Sequence, residues 1–164
     1  MSGICSKYSG DVRVAIHKAA VLDRVGVTTF YIDNRPDLGG VASSVHKLEP
    51  QFVEVSVPCV TLDQVSKAAG VDPSLIKIDV EGAEWSVIQG ARSLIARARP
   101  SIVFEFWESW WERGIHEIFT FLHPDYDLRV LQTGEAAWAR YSGKPPEYFA
   151  TNNVIDIGCI PRSH

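Results

Sequence analysis

The sequence predicts an α/β fold, in which strands alternate with helices around a largely parallel sheet. Between residues 75 and 131, short β-branched segments alternate with longer segments whose apolar residues recur at helical spacing. Of the 164 residues, 46% are hydrophobic and 22% are charged, which is typical of a globular domain. Because no internal repeat or low-complexity segment interrupts the chain, we expect a single domain over residues 1–164.

The first part of the chain predicts three strands and one helix. Three segments are apolar, β-branched or alternating and predict strands: residues 12–22, 27–32 and 52–57. Residues 33–44 are rich in glycine, proline, asparagine and aspartate, which indicates a loop. Thr61 followed by Gln64 is typical of a helix amino terminus, and Gly70 ends that helix.

The second part continues the alternation. Four further strands are predicted over residues 75–80, 101–106, 128–131 and 153–160. Helices are predicted over residues 81–97 and 108–122, where apolar side chains share one face. Residues 133–150 mix glycine, proline, tryptophan and tyrosine and predict an irregular segment. The closing segments can add an antiparallel edge to the sheet.

Composition excludes several classes of function. The net charge is -4 and no run of lysine or arginine occurs, which argues against a nucleic-acid partner. Cys5, Cys59 and Cys159 are far apart, so they predict neither disulfides nor a zinc site but reduced thiols in a cytoplasmic protein. No apolar run is long enough to span a bilayer, so we expect no membrane partner.

The segment over residues 76–84, IKIDVEGAE, carries the strongest chemical signal. Side chains alternate between the two faces of a strand, so Lys77, Asp79 and Glu81 share one face. Asp79 and Glu81 lie where the strand ends and a helix begins, which is the edge where open α/β sheets bind ligands. The structural alternative is that Glu81 and Glu84 favour the positive end of the next helix, while Asp79 neutralises Lys77.

A second carboxylate favours the functional interpretation. Glu105 ends the next predicted strand, so two neighbouring parallel strands would bring Asp79, Glu81 and Glu105 to one edge. Carboxylates gathered there can bond sugar hydroxyls, hold a divalent cation or act as a general base. No histidine follows a metal-binding spacing, so no metal site is predicted.

Tryptophan is concentrated around the same segments. Trp85 and the group Trp107, Trp110 and Trp111 can line a pocket over a flat or sugar-like ligand. Because Trp111 lies at helical spacing from other apolar residues, we expect these side chains to pack helices against the sheet instead.

Four stretches resemble the core signature of FkbM-type methyltransferases: residues 61–63 (TLD), 76–84 (IKIDVEGAE), 89–91 (QGA) and 99–105 (RPSIVFE). Weaker similarity extends the resemblance over residues 12–160. It implies a Rossmann-like methyltransferase fold, S-adenosylmethionine as the methyl donor, and transfer to a hydroxyl of a sugar, polyketide or other small metabolite. By position, the resemblance makes Asp79, Glu81 and Glu105 the candidate catalytic residues, and Asp79 and Glu84 the candidate cofactor-binding residues.

The sequence departs from the family pattern at its start. Family members begin with a strand, a glycine-rich turn and a second strand that ends in an acidic residue, and these grip the cofactor. No segment here matches them, so we expect a fold truncated at the amino terminus, without the first two strands and the glycine-rich turn. We therefore expect the isolated chain to bind S-adenosylmethionine weakly or not at all unless a second chain completes the sheet. The alternative is a non-catalytic remnant or binding module of the same fold.

Overall fold

The computed structural model describes residues 14–33, 42–43, 52–107, 114–142, 144 and 153–163. Within these residues the strands are β1 (Ala20–Val21), β2 (Gly26–Asp33), β3 (Ala42–Ser43), β4 (Phe52–Val60), β5 (Leu75–Ile78), β6 (Ser101–Trp107), β7 (Tyr126–Val130) and β8 (Val154–Pro161). The helices are α1 (Leu62–Ala69), α2 (Glu84–Gln89), α3 (Arg92–Ala98), α4 (His116–Leu122) and α5 (Ala137–Tyr141).

The strands form two mixed sheets of four strands each. The first has the order β1-β4-β2-β3, with β1 parallel to β4 and the other pairs antiparallel. The second has the order β5-β6-β8-β7, with β5 parallel to β6 and β8 antiparallel to both of its neighbours. The predicted α/β alternation and the antiparallel closing edge are confirmed. Parallel pairing is less extensive than predicted, since β1–β4 and β5–β6 are the parallel pairs among the described strands.

Helices cover one face of the second sheet and form the main core with it. Ile78, Phe104 and Ile157 lie on that face and are almost fully buried. Phe104 meets the ring of Phe119 from α4 edge to face, with the ring centroids 6.3 Å apart. The opposite face of this sheet carries polar side chains, because successive residues of a strand point to opposite faces.

Helix α1 begins and ends as its sequence predicts. The backbone N–H of Gln64 donates to the Thr61 hydroxyl at 3.1 Å, and Gly70 ends the helix in the left-handed region at φ 64. The carboxylate of Asp63 has a role that the sequence did not indicate. It accepts the N–H groups of Ser93 at 3.1 Å and Leu94 at 2.7 Å, and so caps the amino end of α3.

The prediction of one continuous helix over residues 81–97 is wrong. It is two helices, α2 and α3, separated at Gly90 and Ala91. The physical reason is that the Gly90 carbonyl accepts the N–H of Asp63 at 2.9 Å, while the N–H of Leu94 donates to the Asp63 carboxylate at 2.7 Å, so the two groups do not form the helical bond with each other. The junction is also a close approach, because a Cβ atom at Gly90 would overlap the backbone carbonyl oxygen of Leu22. The chain after β1 therefore reaches the α2–α3 junction only because residue 90 has no side chain.

Two other predicted boundaries also differ. The strand predicted over residues 12–22 is limited to β1, because only Cys59 and Val60 of β4 lie beside it. Residues 14–19 are described but belong to no strand. Residues 12 and 13 lie outside the described part of the chain. The segment over residues 133–150, predicted to be irregular, contains α5, whose Ala137 and Tyr141 are fully buried.

Replacing the capping carboxylate should weaken the junction between α1 and α3. We expect Asp63→Ala to lower the free energy of unfolding by about 1–2 kcal/mol, because two helix N–H groups lose their acceptor. Urea denaturation followed by circular dichroism measures this. The exposed neighbour Gln64→Ala is the matched control and should change stability little. Equal effects of the two substitutions would contradict the capping role.

Candidate functional site

The site is built on the turn between β5 and α2. β5 ends at Ile78 and α2 begins at Glu84, so residues 79–83 connect a strand to a helix. Glu81 has φ 53 and Gly82 has φ 99, so two successive residues adopt left-handed backbone conformations. For a residue with a side chain this conformation costs about 1–2 kcal/mol. Such strain is found mainly where the surrounding structure enforces it, often at functional sites.

Glu84 enforces this turn from inside the protein. Its exposed fraction is 3%, and its Oε1 accepts the backbone N–H of Gly82 at 3.2 Å. Burial raises the pKa of the Glu84 carboxyl, and hydrogen bonds from the backbone N–H groups of Glu84, Gly82 and Val80 oppose that rise. The resemblance placed Glu84 among the cofactor-binding residues. The structure places its carboxylate within the turn, on the turn's own backbone amides.

The predicted convergence of carboxylates is present in the structure. β5 and β6 are adjacent and parallel, and Ile78 lies beside Phe104 in their register. Asp79 and Glu105 are the next residues, so they leave the same end of two neighbouring strands. Burial raises the pKa of Glu81, and the charges of Asp79 and Glu105 raise it further. The three carboxylates therefore lie close enough to repel one another, although their predicted catalytic roles remain predictions.

Glu105 has the most mixed electrostatic surroundings of the three. Burial raises its pKa first, and the nearby charge of Asp79 adds to the effect. Lys77 lowers the pKa of Glu105, whereas Asp156 raises it. A carboxyl with a raised pKa is a stronger base than an ordinary one, which suits it to accept a proton from a substrate.

The structural alternative from the sequence was that Asp79 neutralises Lys77, but Lys77 has a different partner. Its Nζ lies 3.1 Å from Oδ1 of Asp156 in β8, and not on Asp79. Asp156 was not identified from the sequence. Asp156 stands between Ile155 and Ile157, as Glu105 stands between two apolar residues. A charged residue inside an apolar strand was therefore the sequence signal that could have identified it.

The tryptophans near the site are placed as packing residues where the structure describes them. Trp85 is half-buried against the main core, and its ring meets that of Phe121 edge to face at 6.1 Å. Trp107 is half-buried at the end of β6. Trp110 and Trp111 lie outside the described residues.

One cavity of the described structure lies away from the carboxylates. It measures about 660 Å³ and lies between α1 and α3, where Arg97 binds Asp72 at 2.7 Å. At the carboxylate edge, Asp79 is exposed, and Glu81 and Glu105 are half-buried. In the part of the chain that the structure describes, no three histidine, cysteine or acidic side chains group as metal ligands. No helix in that part is long and apolar enough to cross a membrane.

Residues 6–133 match the family model described as the Methyltransferase FkbM domain. The matched segment contains Asp79, Glu81, Glu84 and Glu105. No curated protein and no solved structure shows a significant similarity to the chain.

The carboxylate cluster should make stability depend on pH in a defined direction. Raised folded-state pKa values for Glu81 and Glu105 mean that the folded protein binds protons more tightly than the unfolded chain. Their contribution to stability is therefore present at acid pH and is lost as the pH rises through the raised values. We expect Glu105→Gln to raise the unfolding free energy at neutral pH by a few tenths of a kcal/mol to about 1 kcal/mol.

Urea denaturation at pH 4 and pH 7.5 tests this expectation, because the gain from Glu105→Gln should fade at the lower pH. Glu117→Gln is the control, since Glu117 lies in the first turn of α4, where its charge favours the helix. That variant should be slightly less stable than the wild type at pH 7.5. A loss of stability in Glu105→Gln at neutral pH would contradict the repulsive cluster.

Proposed function

Because the chain belongs to the FkbM methyltransferase domain family, we propose that it transfers a methyl group from S-adenosylmethionine to a hydroxyl of a sugar or another small metabolite. The observation that carries the proposal is the convergence of Asp79, Glu81 and Glu105 at the carboxyl ends of β5 and β6. This is the edge at which open α/β sheets bind their ligands. A cytoplasmic location, expected from the sequence, remains part of the proposal.

The charges at this edge fit the cofactor. S-adenosylmethionine carries positive charge on its sulfonium and ammonium groups, and carboxylates are the side chains that complement such charges. Asp79 is exposed at the end of β5, so we assign it to the cofactor. Glu84 supports that assignment indirectly, because it fixes the turn that follows Asp79. When bound, the cofactor supplies an electrophilic methyl group.

The acceptor side of the proposal depends on Glu105. Its carboxylate accepts the proton that the acceptor hydroxyl loses as the oxygen takes the methyl group. Burial and the nearby charge of Asp79 raise the pKa of Glu105, which makes it a better proton acceptor. Hydroxyl groups of a sugar also find acceptors for their hydrogen bonds among these carboxylates. The proposed acceptor is therefore a hydroxylated small molecule and not an apolar one.

The open edge of β5 bears on how the cofactor is held. Among the described strands, β5 pairs with β6 on one side and with no strand on the other. A strand edge offers a row of backbone groups that an additional strand can pair with. We propose that a second chain completes the sheet here and supplies a glycine-rich turn that holds the cofactor.

The proposal predicts weak binding of S-adenosylmethionine to the purified 164-residue chain. In this proposal the second chain supplies several directed hydrogen bonds to the cofactor, and each contributes about 0.5–1.5 kcal/mol, so the affinity should be lower by orders of magnitude when that chain is absent. Isothermal titration calorimetry measures the dissociation constant. A value in the low micromolar range, without a second chain, would show that this chain holds a complete cofactor site by itself.

A second prediction concerns the chemical step. We expect Glu105→Gln to reduce methyl transfer by about 10²- to 10⁴-fold, because the acceptor hydroxyl loses its base. The assay follows a labelled methyl group from excess S-adenosylmethionine into a panel of sugars and hydroxylated metabolites. Glu117→Gln should keep the wild-type rate. If the wild type binds the cofactor and an acceptor but transfers no methyl group, the chain is a binding module instead.

A further inference from the structure

The side chain of Lys77 crosses a whole strand to reach its partner. Lys77 lies in β5 and Asp156 in β8, and β6 runs between these two strands. The Nζ–Oδ1 distance is nevertheless 3.1 Å. Lys77 pairs with Val103 in the register, and Val103 shares a sheet face with Glu105. The lysine chain therefore passes over β6 on the face that carries Glu105.

Asp156 lies directly opposite Glu105 on neighbouring antiparallel strands. Two like charges in such a cross-strand pair repel each other unless a positive charge lies close to both. Lys77 supplies that charge through its contact with Asp156. The second oxygen of Asp156 accepts the side-chain N–H of Gln132 at 3.3 Å, so the carboxylate is held from two sides.

We propose that Asp156 holds the Lys77 side chain across β6, and that the positive charge held there favours the charged form of the Glu105 carboxylate at the edge of the sheet. The inference rests on the proposed function, in which Glu105 accepts the proton of the acceptor hydroxyl. Lys77 and Asp156 are positioning residues in this scheme, because they act on the substrate only through Glu105.

The charged groups that face Glu105 in the described structure come from three elements. Lys77 belongs to β5, Asp79 and Glu81 belong to the turn after it, and Asp156 belongs to β8. Lys77 lowers the pKa of Glu105, whereas Asp79 and Asp156 raise it. Removing Lys77 and removing Asp156 should therefore move the titration of Glu105 in opposite directions.

Nuclear magnetic resonance titration of the Glu105 side-chain carboxyl carbon in the 164-residue chain tests the proposal. We expect Lys77→Met to shift the Glu105 titration to higher pH, and Lys77→Arg to restore it because the positive charge returns. Asp156→Asn should shift the titration to lower pH, since it removes a negative neighbour and frees Lys77 to approach Glu105. Lys67→Met, on exposed α1 surface, is the matched control and should leave the titration unchanged.

An unchanged Glu105 titration in Lys77→Met would overturn the proposal. Shifts of the same sign in Lys77→Met and Asp156→Asn would also overturn it, because they would indicate a general disturbance of the sheet. The side chains of Lys77 and Asp156 are 46% and 36% exposed, so their replacement should leave the fold intact, which the backbone amide spectrum checks. Each charge-removing variant decides the question alone if the other does not fold.

The titration and the transfer assay separate this inference from the proposed function. If the titrations shift as expected but no acceptor is methylated, the proposed function fails and the electrostatic role of Lys77 stands. If acceptors are methylated and Lys77→Met changes neither the titration of Glu105 nor the pH profile of the rate, the positioning role alone fails. If both hold, the pH profile of Lys77→Met should move in the same direction as the Glu105 titration.

Discussion

The buried carboxylate of Glu84 is the interaction on which the rest of the site depends. By accepting backbone N–H groups of its own turn, it stabilises the left-handed conformations of Glu81 and Gly82. Those conformations let the chain leave β5 and enter α2 within five residues. The same turn joins the two sheets, because Val80 contacts both hydrophobic clusters. Ala83 packs into the smaller cluster, together with Ala20, Leu22 and Cys59.

The electrostatics of the site work against the stability that the turn provides. The charge of Asp79 raises the pKa of Glu81 and of Glu105, and the charge of Glu105 raises the pKa of Glu81, so the ionised carboxylates repel at neutral pH. Elsewhere in the described structure, the carboxylate of Asp63 caps α3 and that of Asp72 binds Arg97. Three neighbouring carboxylates at one sheet edge are an exception to that arrangement. Functional sites commonly show such exceptions, because a ligand or substrate provides the missing compensation.

Local sequence predicted much of the fold where local interactions decide it. The Thr61 cap, the Gly70 terminus and the strand that precedes Asp79 all depend on residues within a few positions of one another. The break at Gly90 could not be predicted in this way, because the groups at the junction bond to Asp63, far away in the chain. The same limit applies to Lys77, whose partner is 79 residues distant. The convergence of Asp79 and Glu105 was predictable because it needs only two adjacent parallel strands.

The residues of the 76–84 motif fall into two sets: those that form the core and the turn, and those whose charged groups lie at the sheet edge. Ile76 and Ile78 face the core, and Gly82, Ala83 and Glu84 build and pack the turn, which any protein of this fold requires. Similarity at those five positions therefore indicates the fold and carries little information about catalysis. The information about chemistry lies in Lys77, Asp79 and Glu81, and in two residues beyond the motif that face them: Glu105 and Asp156. The lysine that stretches across β6 to the carboxylate opposite Glu105 places a positive charge beside this group, and that charge lowers the pKa of Glu105.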